Sequence, residues 1–275
     1  MVGVVTDSAA NLPEDLAVEL DIRIVPLYLH FGDAVYRDGV DLTPADFYER
    51  LVQGGVAAST ASPSHGDFLE AFRGCGHDEL VCVTVNSSMS SSYQQAALAA
   101  EAFAGRVALV DSKSASMGEG FAVLEAARRA AGGDGLDEVE ARANEVADRT
   151  RLFAMVDTFE FLRKSGRVTK LQAYAATMLV IKPGFVFRQG DVLPVARSRT
   201  RRRAVAKIVE ETLREVGDRP AHLAVIHAAA EDDAREMGKL IGDQVNVVES
   251  FVVPVTPVIG AHTGPGLVGT AFYTD

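Results

Sequence analysis

The chain has 275 residues, of which 48% are hydrophobic and 24% charged, and its formal net charge is −11. This length allows one large core or two moderate ones. The acidic surplus argues against general binding of nucleic acids and against adsorption to anionic membranes, and no apolar run approaches the roughly 20 residues of a membrane span.

The first 150 residues alternate short apolar runs with helical stretches, which predicts a mainly parallel sheet covered by helices. The predicted strands are 2–6, 22–29, 80–85 and 107–110. Helices are predicted to begin near Pro13, at Thr43 and at Ser64, to follow residues 86–92 as far as about Phe103, and to cover about 116–131 and 136–150.

The pattern changes beyond residue 150 and predicts a second α/β domain. Residues 185–195 indicate a hairpin with a glycine-centred turn. A long helix is predicted at about 200–216, a helix at 232–241, and strands at 222–227, 245–251 and 266–272. We therefore expect an N-terminal α/β domain over residues 1–150 and a C-terminal α/β domain over residues 151–275.

The N-terminus and the cysteines bear on the compartment. Residues 1–7 lack the basic start and the cleavage site of a signal peptide and resemble a first strand. Cys75 and Cys82 are the only cysteines, and they form no metal-ligand cluster. We expect a cytoplasmic protein whose cysteines are packing residues.

The most informative segment is the serine loop, residues Asn86–Ser92, which contains five serines among seven residues. It follows an apolar run and precedes a predicted helix. Unpaired N–H groups at a helix start, together with serine hydroxyls, favour a site for a carboxylate or a phosphate. A solvated turn with one capping serine is the alternative.

Three further hydroxyl-rich segments fall near predicted strand ends, at residues 6–8, 59–64 and 111–114. Each alone could be a cap or a turn, and Ser64 has the pattern of an N-cap. Because parallel strands deliver their carboxyl ends to one edge of a sheet, the recurrence predicts a shared polar crevice.

Two charged or titratable residues could complete such a crevice. Arg167 follows Gly166 and could pair with an anion or brace another polar side chain, unless it is a surface charge. His262 lies in a glycine-rich loop and could donate to a carboxylate, act as a base or bond only to the backbone.

Taken together, these segments resemble the DegV family of bacterial fatty-acid-binding proteins over nearly the whole chain. Asp7-Ser8 resembles the opening of that family. Its Thr-Ser-x-Pro-Ser motif is similar to residues 60–64, and its Ser-Ser-x-x-Ser-Gly-Thr-Tyr-Gln motif to residues 87–94. Its Lys-Gly-Gly-Arg, Ile-Lys-Pro and His-Thr-Gly-Pro-Gly motifs are similar to residues 164–167, 181–183 and 262–266.

The resemblance implies two α/β domains with a long-chain fatty acid between them. The acyl chain would lie in an apolar tunnel, and a separate fatty acid kinase would form an acyl phosphate from the bound acid. By motif, Thr60, Ser62, Ser90, Ser91 and His262 would bind the carboxylate, and Arg167 would support that polar network. No catalytic residue, metal or other cofactor is implied.

Some positions depart from the family pattern. Ser91 replaces a glycine, where a side chain could crowd the head group or add a donor. Ser165 replaces the first glycine of the Gly-Gly-Arg turn, and Ser62 stands where the family usually has a larger polar residue. For the tunnel wall, residues 174–181 and 251–259 are candidates, with core packing as the alternative.

Residues 197–203 contain five arginines in an acidic chain. They could form a solvated helix start, or a docking patch for an acidic partner such as the kinase, and we assign docking to Arg201 and Arg202. Two other functions remain open: a serine-dependent hydrolase using Ser90 and His262, and a lipid sensor without a kinase partner. Against the hydrolase, no Gly-x-Ser-x-Gly elbow surrounds Ser90.

Overall fold

A computed structural model describes residues 1–53, 58–167 and 181–275. The strands in these ranges are β1 (Val2–Asp7), β2 (Ile22–Val25), β3 (Tyr28–Phe31), β4 (Ala34–Arg37), β5 (Ala58–Ala61), β6 (Glu79–Thr84), β7 (Arg106–Asp111), β8 (Arg151–Met155), β9 (Lys182–Arg188), β10 (Asp191–Ser198), β11 (Ala221–His227), β12 (Val247–Pro254) and β13 (Val268–Thr274). The helices are α1 (Glu14–Glu19), α2 (Pro44–Gln53), α3 (His65–Gly74), α4 (Ser92–Ala102), α5 (Met117–Ala131), α6 (Leu136–Arg149), α7 (Glu160–Ser165), α8 (Arg201–Val216), α9 (Glu231–Gly242) and α10 (Pro257–Thr263). Within these ranges, no helix combines the length and the apolar composition needed to cross a membrane.

The N-terminal sheet is parallel, as predicted. Strands β2, β1, β6 and β7 pair in that order, each parallel to its neighbour. Helices α3 and α4 cover one face, and α5 and α6 cover the other. Strand β1 is buried along its whole length, which explains why its sequence is almost continuously apolar. The carboxyl ends of β1, β6 and β7 therefore meet at one edge.

The single strand predicted at residues 22–29 is wrong. Strand β2 belongs to the parallel sheet, whereas β3 pairs with β4 and β5 in a small antiparallel sheet. Pro26 separates the two strands. Because proline has no N–H to donate to a ladder, pairing stops there and the chain crosses to the second sheet. The small sheet matters for the site because β5 carries Thr60.

The C-terminal sheet takes its strands from residues 151–274, in the order β10, β9, β8, β13, β11 and β12. All neighbours are antiparallel except β11 and β12. The predicted hairpin is confirmed as β9 and β10. Gln189 and Gly190 at its turn have φ angles of 51° and 84°, the backbone that a tight hairpin turn of this hand requires.

Helix α5 joins the two sheets into one core. It packs on β1 and β6 on one side and on β13 on the other, and Phe121 contacts the rings of Phe251 and Tyr273. Most residues of α5 are buried, as expected of a helix that packs against other elements on more than one side. A Cβ at Gly120 would lie 2.8 Å from the Ala10 carbonyl oxygen, so only glycine allows this close approach. Helix α5 precedes residue 150 but packs on strands from both parts of the chain. The domain boundary near residue 150 therefore stays a prediction.

Candidate functional site

The serine loop lies at the carboxyl end of β6 and leads directly into α4. Its serines have different partners. Ser87 donates its hydroxyl to Asp111 at the end of β7 (2.5 Å), whereas the hydroxyls of Ser90 and Ser92 are 3.0 Å apart. The Asn86 side chain accepts the N–H of Ser88 (2.9 Å), which tightens the turn. The loop is therefore a structured turn whose half-buried Ser90 faces a pocket.

The opposite wall is formed by β5 and α10. The Thr60 hydroxyl and His262 Nε2 are joined by a hydrogen bond of 2.8 Å. Burial, and then the positive charge of Arg167, lower the pKa of His262 to about 4. The imidazole is therefore neutral near pH 7 and can either accept from Thr60 or donate to another acceptor.

Ser62 and Ser91 bridge the two walls at the surface. Their hydroxyl oxygens are 2.6 Å apart, and Ser91 is exposed. The Ser91 side chain thus makes a contact that glycine could not make. Ser64, just beyond, caps α3 by accepting the N–H of Asp67, and Asp67 accepts the N–H of Ser64 in return. That reciprocal pair confirms the N-cap prediction and anchors the end of the segment.

Arg167 follows α7 in a turn built around Gly166, whose φ of 68° is in the left-handed region. The Ser165 hydroxyl accepts the N–H of Arg167 (3.2 Å) and donates to the Leu162 carbonyl oxygen (2.8 Å). Ser165 therefore stabilises the turn in which the family pattern has glycine. The exposed guanidinium lines the pocket and donates to the Ser165 carbonyl oxygen (2.7 Å).

These residues surround one polar pocket of about 590 Å³. Every residue predicted to bind the carboxylate or to support it lines this pocket: Thr60, Ser62, Ser90, Ser91, Arg167 and His262. Hydroxyl groups, a neutral imidazole and a guanidinium can together donate several hydrogen bonds to one anion, which is what a desolvated carboxylate needs. That these residues hold a ligand stays a prediction.

The predicted crevice at the sheet edge does not include every hydroxyl-rich segment. Thr6 and Ser8 point to buried carboxylates instead of the pocket: Thr6 donates to Glu119 (3.1 Å) and Ser8 to Asp38 (2.7 Å). Asp111 holds Ser87, as described above, and so supports the serine loop from behind.

An apolar chamber of about 70 Å³ lies behind the polar pocket. The two cavities share five lining residues: Met89, Ala115, Arg167, Ile259 and His262. The deeper wall of the chamber consists mainly of apolar side chains from β8, β9, β11 and neighbouring segments: Leu152, Ala154, Leu162, Phe185, Phe187, Ile226 and Leu267. A polar mouth that opens on an apolar chamber suits an amphipathic ligand.

Most of this wall was not predicted from the sequence, which had offered residues 174–181 and 251–259. Of the two runs it nominated, residues 174–180 lie outside the described residues. In the other run, Ile259 lines the chamber, whereas Phe251 packs against Phe121 in the core. The wall residues of β8 (Leu152 and Ala154) and of β9 (Phe185 and Phe187) are two positions apart in the sequence. Because alternate residues of a strand share a face, this spacing could have predicted them.

The basic segment is partly paired within the molecule. Arg201 is half-buried and forms ion pairs with Asp157 (2.9 Å) and Asp233 (2.5 Å), and its guanidinium also donates to the Gly266 carbonyl oxygen. Arg202 and Arg203 are exposed. Docking at Arg201 and Arg202 stays a prediction, and of the two, Arg202 is the residue presented to solvent.

Ser90 and His262, the pair of the hydrolase alternative, have separate hydrogen-bond partners. Within the described residues, the recorded hydrogen bonds join His262 Nε2 to Thr60 and Ser90 to Ser92, and none joins Ser90 to His262. A nucleophilic serine requires its base within hydrogen-bonding reach. In the same part of the chain, no group of three or more histidine, cysteine or acidic side chains could hold a metal ion.

Fold and site together define an α/β protein with a hydroxyl-lined pocket that opens on an apolar chamber. The chain belongs to the DegV family, whose model, described as “Uncharacterised protein, DegV family”, matches residues 1–275. A DegV domain-containing protein of Mycobacterium tuberculosis is 36% identical over 267 residues, covering 97% of this chain and 95% of its own. One from Streptomyces coelicolor is 32% identical, covering 98% and 96%.

Solved structures share the fold. A DegV family protein from Thermus thermophilus, described as fatty-acid-binding, is 31% identical with a TM-score of 0.93, covering 100% of this chain and 99% of its own. DegV from Bacillus subtilis, described as a fatty acid binding protein, is 26% identical with a TM-score of 0.88 and the same coverage. These similarities confirm the predicted family and two-domain α/β fold.

Proposed function

We propose that this protein binds a long-chain fatty acid and presents it to a separate fatty acid kinase. The observation that carries the proposal is the continuity between the polar pocket and the apolar chamber through five shared residues. The fatty-acid-binding descriptions of the Thermus thermophilus and Bacillus subtilis relatives support the same ligand.

In this proposal the carboxylate lies between the serine loop and α10. Ser90 and Thr60 donate their hydroxyls to it, the Ser91 N–H and the Ser62 hydroxyl lie beside it, and His262 and Arg167 complete the polar end. The Thr60–His262 hydrogen bond (2.8 Å) then rearranges, because the Thr60 hydrogen turns to the ligand. Several donors are needed because a carboxylate that leaves water loses its hydration.

The acyl chain enters the apolar chamber. Apolar cavities of roughly 150 Å³ hold a molecule the size of benzene, so a chamber of about 70 Å³ must widen to hold a long acyl chain. Each methylene that leaves water contributes about 0.8 kcal/mol. The chain therefore supplies most of the binding free energy, and no catalytic group of this protein is required.

Native mass spectrometry of the purified protein, followed by titration with a fatty acid, tests the proposal. We expect a co-purified or bound fatty acid in the wild type, and weaker binding in Thr60→Ala and in Ser90→Ala. Ser59→Ala, on the same strand but outside the pocket lining, is the matched control. Wild-type affinity in both pocket variants would refute the head-group assignment. An empty protein that cleaves esters, and loses that activity in Ser90→Ala, would favour a hydrolase.

The kinase step is tested separately. Reversing the exposed charge of the docking pair with Arg202→Glu should slow phosphorylation of the bound acid by a fatty acid kinase while fatty acid binding is retained. Arg214→Glu, near the other end of α8, is the matched control. Unchanged phosphorylation would remove the docking assignment, and absence of phosphorylation of the wild type by its cognate kinase would favour a lipid sensor. The acyl phosphate would enter phospholipid metabolism.

A further inference from the structure

Asp7, the last residue of β1, holds the beginning of the serine loop. Its carboxylate is fully buried, and each oxygen accepts a backbone N–H: Oδ1 from Ala9 (3.0 Å) and Oδ2 from Val85 (3.1 Å). The last pair in the register of β1 and β6 is Thr6 with Val83. The side chain of Asp7 therefore replaces a strand partner for Val85, at the point where the chain turns into the loop.

Asp7 also holds the end of the loop. The hydroxyl of Ser92, a fully buried residue, lies beside the Asp7 carboxylate and lowers its pKa, and its oxygen is 3.0 Å from Ser90 Oγ. Because an ionised carboxylate only accepts hydrogen bonds, the Ser92 hydrogen points to Asp7. The Ser92 N–H donates to Ser90 Oγ (3.2 Å), so the hydroxyl hydrogen of Ser90 is the one that can turn toward a ligand.

Glu119 of α5 lies beside Asp7 but has a different role. Burial and the negative charge of Asp7 raise the pKa of Glu119 well above its usual range, so its carboxyl group is neutral. Burial raises the pKa of Asp7 to about 6, and the N–H groups of Val85 and Ala9 together with the side chains of Ser92 and Glu119 oppose that rise. In this pair the ionised form is therefore favoured at Asp7 and the neutral form at Glu119, and of the two only Asp7 accepts the N–H of Val85, which leads into the serine loop.

We propose that Asp7 is a positioning residue that holds both ends of the serine loop, at Val85 and Ser92, and thereby directs the Ser90 hydroxyl at the ligand carboxylate. Asp7 does not touch the ligand. This inference rests on the proposed function, because it assigns a cause to the orientation of Ser90 in the fatty acid complex.

The decisive variant is Asp7→Asn. Both carboxylate oxygens accept an N–H, so an asparagine of the same shape must place its NH₂ group against one of those donors. We expect the affinity for a saturated fatty acid to fall at least tenfold, while the affinity for the fatty alcohol of the same chain length changes less than threefold. Glu119→Gln is the matched control, because it replaces a neutral carboxyl with a neutral amide, and it should change neither affinity more than threefold.

The ratio of acid to alcohol affinity separates positioning from general damage to the fold. Equal losses for both ligands in Asp7→Asn, or wild-type acid affinity, would overturn the proposal. If Asp7→Asn does not fold, Ser92→Ala removes the hydroxyl that lies beside Asp7 and 3.0 Å from Ser90 Oγ, and it should lower the same ratio; an unchanged ratio would overturn the proposal as well. The proposed function itself fails in a different way, if the wild type binds neither ligand or does not prefer the acid.

Discussion

The polar pocket and the apolar chamber adjoin each other but are built in opposite ways. The pocket draws most of its hydroxyls from two short segments, residues 60–62 and 87–91, which are organised by local turns and caps. The chamber takes one or two side chains from each of β8, β9 and β11, which become neighbours only when the second sheet forms. Recognition of the head group is therefore a property of local motifs, whereas the space for the chain is a property of the assembled fold.

The two regions also differ in how much binding free energy their contacts contribute in total. A hydrogen bond in the pocket contributes about 0.5–1.5 kcal/mol net, because it replaces a bond to water. Each methylene in the chamber contributes about 0.8 kcal/mol, and a long chain has many. We therefore expect pocket variants to change selectivity and chamber variants to change total affinity.

The largest effect should come from blocking the passage between the regions. Ala115 lines both cavities and is almost fully buried. If Ala115→Phe excludes about five methylenes from the chamber, binding of a long fatty acid weakens by about 4 kcal/mol, close to a thousandfold. Isothermal titration calorimetry measures this loss, with Ala115→Ser as the control of similar size. Unchanged affinity in Ala115→Phe would show that the chain takes another route.

His262, on the polar side, should make its own contribution to the pH dependence of stability. The folded pKa of His262, about 4, lies below the ordinary value of 6.5. Its contribution to stability is therefore complete above pH 6.5 and is lost as the pH falls toward 4, by about 3 kcal/mol. Denaturant unfolding between pH 4 and 8 should show a shallower loss in His262→Gln than in the wild type. Equal slopes would contradict a neutral, buried His262.

A smaller effect is expected from the exposed guanidinium at the mouth of the pocket. Arg167→Gln should weaken fatty acid binding by about 1 kcal/mol, because an ion pair near water is worth little more. The loss should shrink as salt is added and should be absent for the fatty alcohol. Arg163→Gln, an exposed arginine outside the pocket lining, is the control. A loss that does not respond to salt would argue that Arg167 acts through the turn.

The smallest effect should come from the surface bridge between Ser62 and Ser91. Ser91→Gly restores the residue of the family pattern and removes one exposed hydroxyl hydrogen bond, so acid affinity should change less than about threefold. A competition assay with a fluorescent fatty acid resolves this difference. A larger loss would mean that the Ser91 hydroxyl itself binds the carboxylate, and a larger gain would mean that it crowds the head group.

Much of the fold could be predicted because its signals are local. The near-continuous apolar run of β1, the capping pair at Ser64 and the glycine turn of the β9–β10 hairpin each occupy a few consecutive residues. The strand predicted at 22–29 failed because a run of apolar residues does not reveal which sheet it joins. Pro26 was the signal that could have divided it.

The sequence by itself determined the family, the parallel N-terminal sheet and six of the polar residues that line the pocket, because these depend on short motifs. The tertiary structure alone decided what lies behind that pocket. The chamber wall, the pairing of Arg201 with Asp157 and Asp233, and the contact of Asp7 with Val85 and Ser92 each join residues far apart in the chain. Such contacts form only when strands and helices that are distant in the chain pack together, and no spacing in the sequence records them.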